Sequence, residues 1–369
     1  MWKLLFSDNT LWGLLNFRGG VIRHFIKEGY RIILVAPQDS MADLTLIPNE
    51  VKYIPVKLNR TGTNPFSDFQ YYKVLRQIYK REKPDYIFHY TIKPNIYGTL
   101  AAHGLVICSS AMIPGLGHVY TEKSIGNMIA RIMYKFAMRY PQKVLVLNKV
   151  NYDILVHRKV VAPEKLLWLK GGEGVDLSKY KSTPPPRNKR PVFLMIARLL
   201  YEKGYAEYIE AAKVLKEQAE FRVMGPIDSH PTAVKRETID NDVANGIIRY
   251  IEFSLDVVSQ IEAADCVVLP SFYGEGLSRV LMEGLAMARS IIASDIPGCR
   301  ETVQSGINGY LCAPKDAQSL IEVCKKFIAL SPEQRKRMGI ESRILAEKQF
   351  DEQLVIKQYQ RILKDYFGT

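Results

Sequence analysis

Short apolar runs alternate along this chain with longer segments whose apolar residues recur at helical spacing. Trp2–Phe6 reads as a strand, residues 20–28 as a helix, Arg31–Ala36 as a strand stopped by Pro37, and Val51–Pro55 as another strand. Residues 69–81 repeat apolar side chains at helical spacing, 86–89 form a strand ending in polar residues, 97–103 begin a helix, and Val144–Leu147 is a further strand. Such strand–helix–strand repetition predicts a parallel sheet covered on both faces. The proline-rich, charged run Lys181–Arg190, KSTPPPRNKR, reads as a connector. The rhythm then restarts, with strands at 192–196, 221–224, 247–251, 266–269 and 290–293 and helices at 205–218, 257–264 and 277–288. Residues 352–366 close the chain as an amphipathic helix. The pattern predicts two α/β domains.

A length of 369 residues suits two cores better than one. At 47% hydrophobic and 24% charged, the composition is that of a globular protein rather than a disordered or fibrous one. Pro94–Thr121 carries no charge, but His103, Ser109, Ser110, Pro114 and four glycines within it read as buried helix, strand and loop, with Leu105–Ile107 as the β run. No secretory signal is read at the start, where Met1–Phe6 is a strand candidate followed by Ser-Asp-Asn. Five cysteines, an odd number without metal-ligand spacing, point to buried thiols in a reducing cytoplasm rather than to disulfides or zinc.

Charge adds an asymmetry. Residues 1–180 hold 25 Lys and Arg against 13 Asp and Glu, while residues 181–369 hold 26 against 25. An excess confined to one half calls for an anionic partner: nucleic acid, a membrane surface or a phosphorylated substrate. No nucleic-acid recognition motif accompanies it, so nucleic acid is set aside. Residues 124–143 place Ile125, Met128, Ile129, Ile132, Met133 and Phe136 at helical spacing with Arg131, Lys135, Arg139 and Lys143 between them. Such a helix either lies on anionic lipid or turns its apolar side to the core.

The most informative stretch is Pro270–Ala286, PSFYGEGLSRVLMEGLA, an apolar strand end, a glycine turn and a helix. In open parallel sheets, ligands bind at the carboxyl ends of strands. Gly274 and Gly276 permit close backbone approach, and the amides of Gly276, Leu277 and Ser278 at the helix start suit a diphosphate. Glu275 and Glu283 are hydrogen-bond acceptors suited to sugar hydroxyls.

Two glutamates separated by seven residues in this frame resemble the signature of retaining GT-B glycosyltransferases, notably glycosyltransferase family 4. The resemblance implies that Glu283 holds the ribose hydroxyls and Glu275 those of the donor sugar. Ile196–Gly204, IARLLYEKG, is similar to the family's phosphate clamp, which implies that Arg198 and Lys203 meet the donor diphosphate. Met224–Pro226 resembles its glycine turn, placing Gly225 at the nucleotide, and Arg249–Ile251 with Asp256 resembles the segment whose backbone, at Ile251, reads the base. Gly172–Asp176, Asp295–Glu301 and Asn308-Gly309 complete a resemblance that covers 166–330.

The N-terminal half matches more loosely. Asn16–Gly20, NFRGG, sits where the family keeps a glycine-rich loop, which makes Arg18, Gly19 and Gly20 candidates. His118, in IPGLGHVY, and His89, at a strand end, are candidate acceptor-side residues. FHYTIKPN and PGLGHVY resemble PglA-like bacterial enzymes that extend lipid-linked oligosaccharides.

The implied fold is GT-B, two doubly wound Rossmann-like domains facing across a cleft. The expected boundaries are 1–165 for the acceptor side, joined by helix 352–369 crossing back, and 166–351 for the nucleotide-sugar side. The implied reaction is metal-independent transfer, with retention, of a hexosyl or N-acetylhexosaminyl group from a UDP-sugar. The acceptor is expected to be a polyprenyl-diphosphate-linked saccharide at the cytoplasmic face of an anionic membrane. A non-hydrolysing UDP-sugar 2-epimerase shares the fold but needs an acid and histidine set not found here. An inactive scaffold would not need Arg198, Lys203, Glu275 and Glu283. Asp240-Asn241-Asp242 has the spacing of a metal motif but lies in a polar run rather than after an apolar strand, so it reads as a solvated loop.

Overall fold

The computed structural model describes residues 1–39, 42–59, 64–115, 125–228, 230–274 and 276–368. They divide into two compact units, Met1–Glu173 with Glu352–Thr369 (unit 1) and Gly174–Asp351 (unit 2).

Unit 1 is built on a seven-stranded parallel sheet in the order β3-β2-β1-β4-β5-β6-β7. Its strands are β1 Lys3–Ser7, β2 Arg31–Ala36, β3 Lys52–Pro55, β4 Tyr86–Tyr90, β5 Cys108–Ile113, β6 Lys143–Val146 and β7 Leu166–Trp168. Leu4, Leu5 and Phe6 of β1 are all buried, as in a central strand covered on both faces. The helices are α1 Leu11–Phe17, α2 Gly19–Lys27, α3 Pro65–Glu82, α4 Thr99–His103 after one π turn at Pro94–Gly98, α5 Ile125–Ala137 and α6 Lys149–His157.

Three expectations are corrected. The β run is not Leu105–Ile107. The chain turns there, with Val106 in the left-handed region at φ 58° and its side chain in solvent, and the strand follows at Cys108–Ile113. Its serines disguise it, yet Ser110 sits in the core with its hydroxyl 2.7 Å from that of Tyr86. The second domain does not open at 166, because Leu166–Trp168 pairs with Val144–Val146 as the last strand of the first sheet. Asn16–Gly20 is not a loop: α1, capped by Thr10 on the Gly13 amide, ends at Phe17 and α2 begins at Gly19.

The C-terminal helix Glu352–Phe367 belongs to unit 1. The Tyr359 hydroxyl lies 3.1 Å from that of Tyr90, and Phe367 stacks on Trp2 at 4.1 Å.

Unit 2 carries a six-stranded parallel sheet, order β10-β9-β8-β11-β12-β13. The strands are β8 Val192–Ile196, β9 Glu220–Met224, β10 Arg249–Ile251, β11 Cys266–Leu269, β12 Ser290–Ser294 and β13 Gly309–Cys312. Its helices are α7 Tyr205–Leu215, α8 Arg236–Ala244, α9 Val257–Glu262, α10 Arg279–Ala286, α11 Ala317–Ile328 and α12 Pro332–Leu345, with the chain-terminal Glu352–Phe367 becoming α13. The buried Arg289 fastens the proline-rich connector by donating to the carbonyls of Thr183 and Pro184, and to those of Ile261 and Glu262. Cys266, Cys299, Cys312 and Cys324 are buried thiols. Among the described residues no helix is long and apolar enough to cross a membrane.

Candidate functional site

All strands of unit 2 run parallel, so their carboxyl ends share one edge of the sheet. The strand order reverses between β8 and β11, and such a switch point leaves a crevice between the two following loops. Arg198 and Lys203 follow β8, Gly276–Ser278 follow β11, and Gly225 and Ile251 follow or end the neighbouring β9 and β10. The fold thus gathers residues from four sequence motifs at one edge.

Two glycines are required by close packing. Gly204 has φ 84°, and a Cβ there would strike the Pro270 carbonyl oxygen. A Cβ at Gly225 would strike the Ala197 carbonyl oxygen. The β8 turn is therefore pressed against both the β9 and β11 turns.

Glu202 locks these turns together, a role its sequence position does not reveal. Its carbonyl accepts the amides of Phe272 at 2.9 Å and Tyr273 at 3.0 Å, and the Ser271 hydroxyl at 3.3 Å. Its carboxylate accepts the Thr232 hydroxyl at 2.5 Å, and His230 Nδ1 lies 2.8 Å from that hydroxyl. The His230 amide donates to Asp228, whose other carboxylate oxygen accepts Arg198 at 3.1 Å. Arg198 and Lys203 are thus held by one network across three loops, with the Lys203 ammonium 4.7 Å from the Tyr273 ring centroid.

The start of α10 differs in part from expectation. The helix begins at Arg279, and the Ser278 amide is already committed to the Gly298 carbonyl at 2.9 Å. Ser278 makes no side-chain cap bond, and the helix dipole places partial positive charge at this first turn. Glu283, one turn along α10, is 6% exposed rather than solvated. Its carboxylate accepts Arg279 at 3.1 Å and faces the Tyr180 hydroxyl, whose pKa is raised by burial and by that carboxylate. Glu275 and His118 lie outside the described residues.

In unit 1 the candidates serve the protein itself. Arg18 is buried, with its guanidinium 2.6 Å from Glu173, 3.7 Å from Asp8 and 4.4 Å from the Tyr90 ring centroid. Burial opposes its charge, but Glu173 and Asp8 outweigh it and hold the pKa above the usual value. Arg18 is therefore a structural ion hub and not an acceptor contact. Gly20 makes room for the Glu352 carboxylate at the start of α13. Gly19 opens α2, where the next turn's Arg23 guanidinium lies 3.0 Å from its absent Cβ. His89 is fully buried beneath Gly98, both ring nitrogens are without a hydrogen-bond partner among the described residues, and burial pushes its pKa down to about 3. It is a neutral core side chain, not a substrate contact.

Asp240 and Asp242 lie on α8 rather than in a loop. Asp240 pairs with Arg236 at 2.8 Å, and Asp242 accepts the Tyr205 hydroxyl at 2.8 Å. Among the described residues there is no group of three acidic, His or Cys side chains placed to hold a metal.

Two doubly wound units, each on a parallel sheet, are the GT-B fold, and the sequence matches make the chain a glycosyltransferase. The family model of glycosyl transferases group 1 matches residues 178–344, and that of glycosyl transferase 4-like domains matches residues 3–148. Together the two matches give the chain a glycosyl transferase 4-like domain followed by a glycosyl transferases group 1 domain. A Campylobacter jejuni protein, N,N'-diacetylbacillosaminyl-diphospho-undecaprenol alpha-1,3-N-acetylgalactosaminyltransferase, is 26% identical over 95% of this chain and 96% of its own length. Sucrose-phosphate synthase from Thermosynechococcus elongatus shares the fold with a TM-score of 0.82 at 16% identity, covering 100% of both chains. Anabaena HepE in complex with UDP and glucose does so with a TM-score of 0.78 at 18% identity, covering 99% of this chain and 100% of its own.

Proposed function

We propose that this enzyme transfers, with retention, a hexosyl or N-acetylhexosaminyl group from a UDP-sugar to a polyprenyl-diphosphate-linked saccharide during assembly of a bacterial surface glycan. The observation that carries the donor half is the meeting of Arg198, Lys203 and the start of α10 at one switch point. The acceptor half rests on the name of the Campylobacter relative, which matches nearly the whole chain.

In this reading the C1–O bond to the diphosphate breaks through an oxocarbenium-like state. The acceptor hydroxyl oxygen bonds to C1 from the same face, and its proton passes to the departing diphosphate oxygen. Arg198, Lys203 and the first turn of α10 stabilise the charge that grows on that diphosphate. Fixed cations do this work without a metal. Glu283 accepts the ribose hydroxyls, exchanging its bond from Arg279 for theirs. Glu275 orients the donor sugar, and the backbone at Ile251 and Gly225 borders the base. The enzyme works at the inner face of the cytoplasmic membrane, held there peripherally by anionic lipid.

The test is to follow UDP release and product mass with a lipid-linked saccharide, a free sugar and no acceptor, with and without a chelator. Sugar transfer to the lipid-linked acceptor alone, unaffected by chelator, is expected. An epimerised UDP-sugar formed without sugar transfer, or no turnover with any UDP-sugar, would sink the reading.

A further inference from the structure

Charge is divided between the two units more sharply than between the two halves of the sequence. Unit 1 holds 27 Lys and Arg against 14 Asp and Glu, the whole +13 of the chain, and unit 2 holds 24 of each. Part of that excess surrounds α5. The helix packs on its own unit through the buried Tyr134 and Ala137. Its other side turns Met128, Ile129, Ile132 and Phe136 outward, each about half exposed or more, up to 63% at Ile132. Lys135, and Arg139 just beyond the helix, are exposed beside them. Core packing therefore accounts for one side of α5 and leaves the other as an apolar patch flanked by cations.

At the end of α5 lies a cleft of about 500 Å³. Met138, Val156 and Val160 give it apolar walls, and Arg139, Lys159 and Lys165 give it three cations, with no carboxylate among its lining residues. The Lys165 ammonium donates to the Arg139 carbonyl at 2.5 Å, which ties the two sides of the cleft together. Arg139 precedes β6 and Lys165 precedes β7, so the cleft borders the amino ends of these strands. Ligands that react in such folds sit at the carboxyl ends. The cleft is thus remote from unit 1's own switch point.

We propose that this cleft binds the phosphate head group of an anionic bilayer lipid while the exposed side of α5 enters the acyl boundary. The inference rests on the membrane-bound acceptor proposed above and adds the site through which the enzyme grips that membrane. Cations beside an apolar face are what an anionic lipid surface selects: phosphate meets the guanidinium and ammonium groups, and the apolar side chains leave water. A reacting diphosphate would instead belong at the strand carboxyl ends.

Co-sedimentation with vesicles of phosphatidylcholine, alone and with added phosphatidylglycerol, tests it using the full chain. Wild type should prefer the anionic vesicles, less so as salt rises. Each cation contributes about a fivefold gain in partitioning, so Arg139→Glu/Lys159→Glu/Lys165→Glu should lose on the order of 100-fold. Ile129→Ser/Ile132→Ser/Phe136→Ser should also lose binding while keeping its preference for anionic over neutral vesicles. Circular dichroism should show both variants folded, and a Lys159→Gln/Lys165→Gln variant with an intermediate loss provides a milder check. Wild-type binding by the charge-reversed variant, equal binding to both vesicle types, or tight binding of free glycerol phosphate without vesicles would overturn the proposal. Transfer in detergent separates the two readings. A wild type that transfers to a lipid-linked acceptor but ignores anionic vesicles removes the cleft site alone. One that grips anionic vesicles through the cleft but transfers to no lipid-linked acceptor removes the acceptor reading alone.

Discussion

The two units share a topology and use its vacancy in opposite ways. Each has a switch point, between β1 and β4 in unit 1 and between β8 and β11 in unit 2. In unit 1 the residues beside it are sealed: Arg18 sits between Asp8, Glu173 and the Tyr90 ring, and Tyr90 touches Tyr359 of α13. In unit 2 the corresponding cation, Arg198, is 46% exposed on its side chain and leans on Asp228. One arginine therefore holds protein together, and the other, in the function proposed above, offers its charge to the donor diphosphate. The lesson is that a strand-end arginine becomes a ligand group only if the protein withholds buried carboxylates from it. In the proposed reading an incoming diphosphate takes the place of Asp228, which touches Arg198 through one contact at 3.1 Å.

The strongest way to break this comparison is Arg18→Met. It leaves Asp8 and Glu173 buried without their cation, which costs about 3–5 kcal/mol of stability. All three tryptophans, Trp2, Trp12 and Trp168, lie in unit 1, so urea unfolding followed by tryptophan fluorescence reports that unit directly. A midpoint unchanged from wild type would show that Arg18 is not a structural hub.

In unit 2 the matching change should spare the fold and damage the chemistry. Arg198→Ala/Lys203→Ala should lower kcat by a factor on the order of 100–1,000, with a smaller change in donor affinity, because diphosphate charge peaks in the transition state. Wild-type kcat in the double variant would remove both residues from the clamp. Glu283→Ala should then weaken UDP binding by about 1.5–3 kcal/mol, the value of a hydrogen bond to a charged group. Calorimetry with UDP is the measurement, and unchanged affinity would exclude Glu283 from the ribose.

The smallest effect sharpens the comparison through acid. His89 has a folded pKa of about 3, below its unfolded value near 6.5. The unfolded chain therefore binds a proton first as pH falls. This contribution to stability is complete above pH 6.5 and is lost progressively toward pH 3, the loss reaching about 2 kcal/mol by pH 5. His89→Gln should flatten that part of the fluorescence-monitored pH dependence. An unchanged slope between pH 6.5 and 4 would show that His89 is not the group responsible.

Legibility in the sequence followed the same division. The unit 2 site is assembled from contiguous strand-end stretches, so IARLLYEKG and PSFYGEGLSRVLMEGLA display their cations and acids beside the glycines that shape them. Glu202 escaped notice because its main work is done by a backbone carbonyl, which carries no residue-type signal. The role of Arg18 escaped because its partners, Asp8, Tyr90 and Glu173, are scattered across the sequence. The strand Cys108–Ile113 was hidden by two serines in a run that pairs on both sides. A seventh strand of three residues, Leu166–Trp168, is too short for any period to announce it. The aspartates of α8 looked like a loop because that helix buries only Ile239.

The return of α13 to unit 1 sets an order of assembly on the ribosome. Unit 2 is one uninterrupted stretch, Gly174–Asp351, and has all its residues once Asp351 has left the exit tunnel. Unit 1 is begun before unit 2 and completed after it. Until Glu352–Phe367 emerges, Tyr90 lacks its hydroxyl partner, Trp2 lacks the ring of Phe367, and Gly20 faces an empty place where Glu352 will sit. The nascent chain therefore carries a complete unit 2 before its basic unit 1 is complete, and emergence of Glu352–Phe367 is the step that closes the first core.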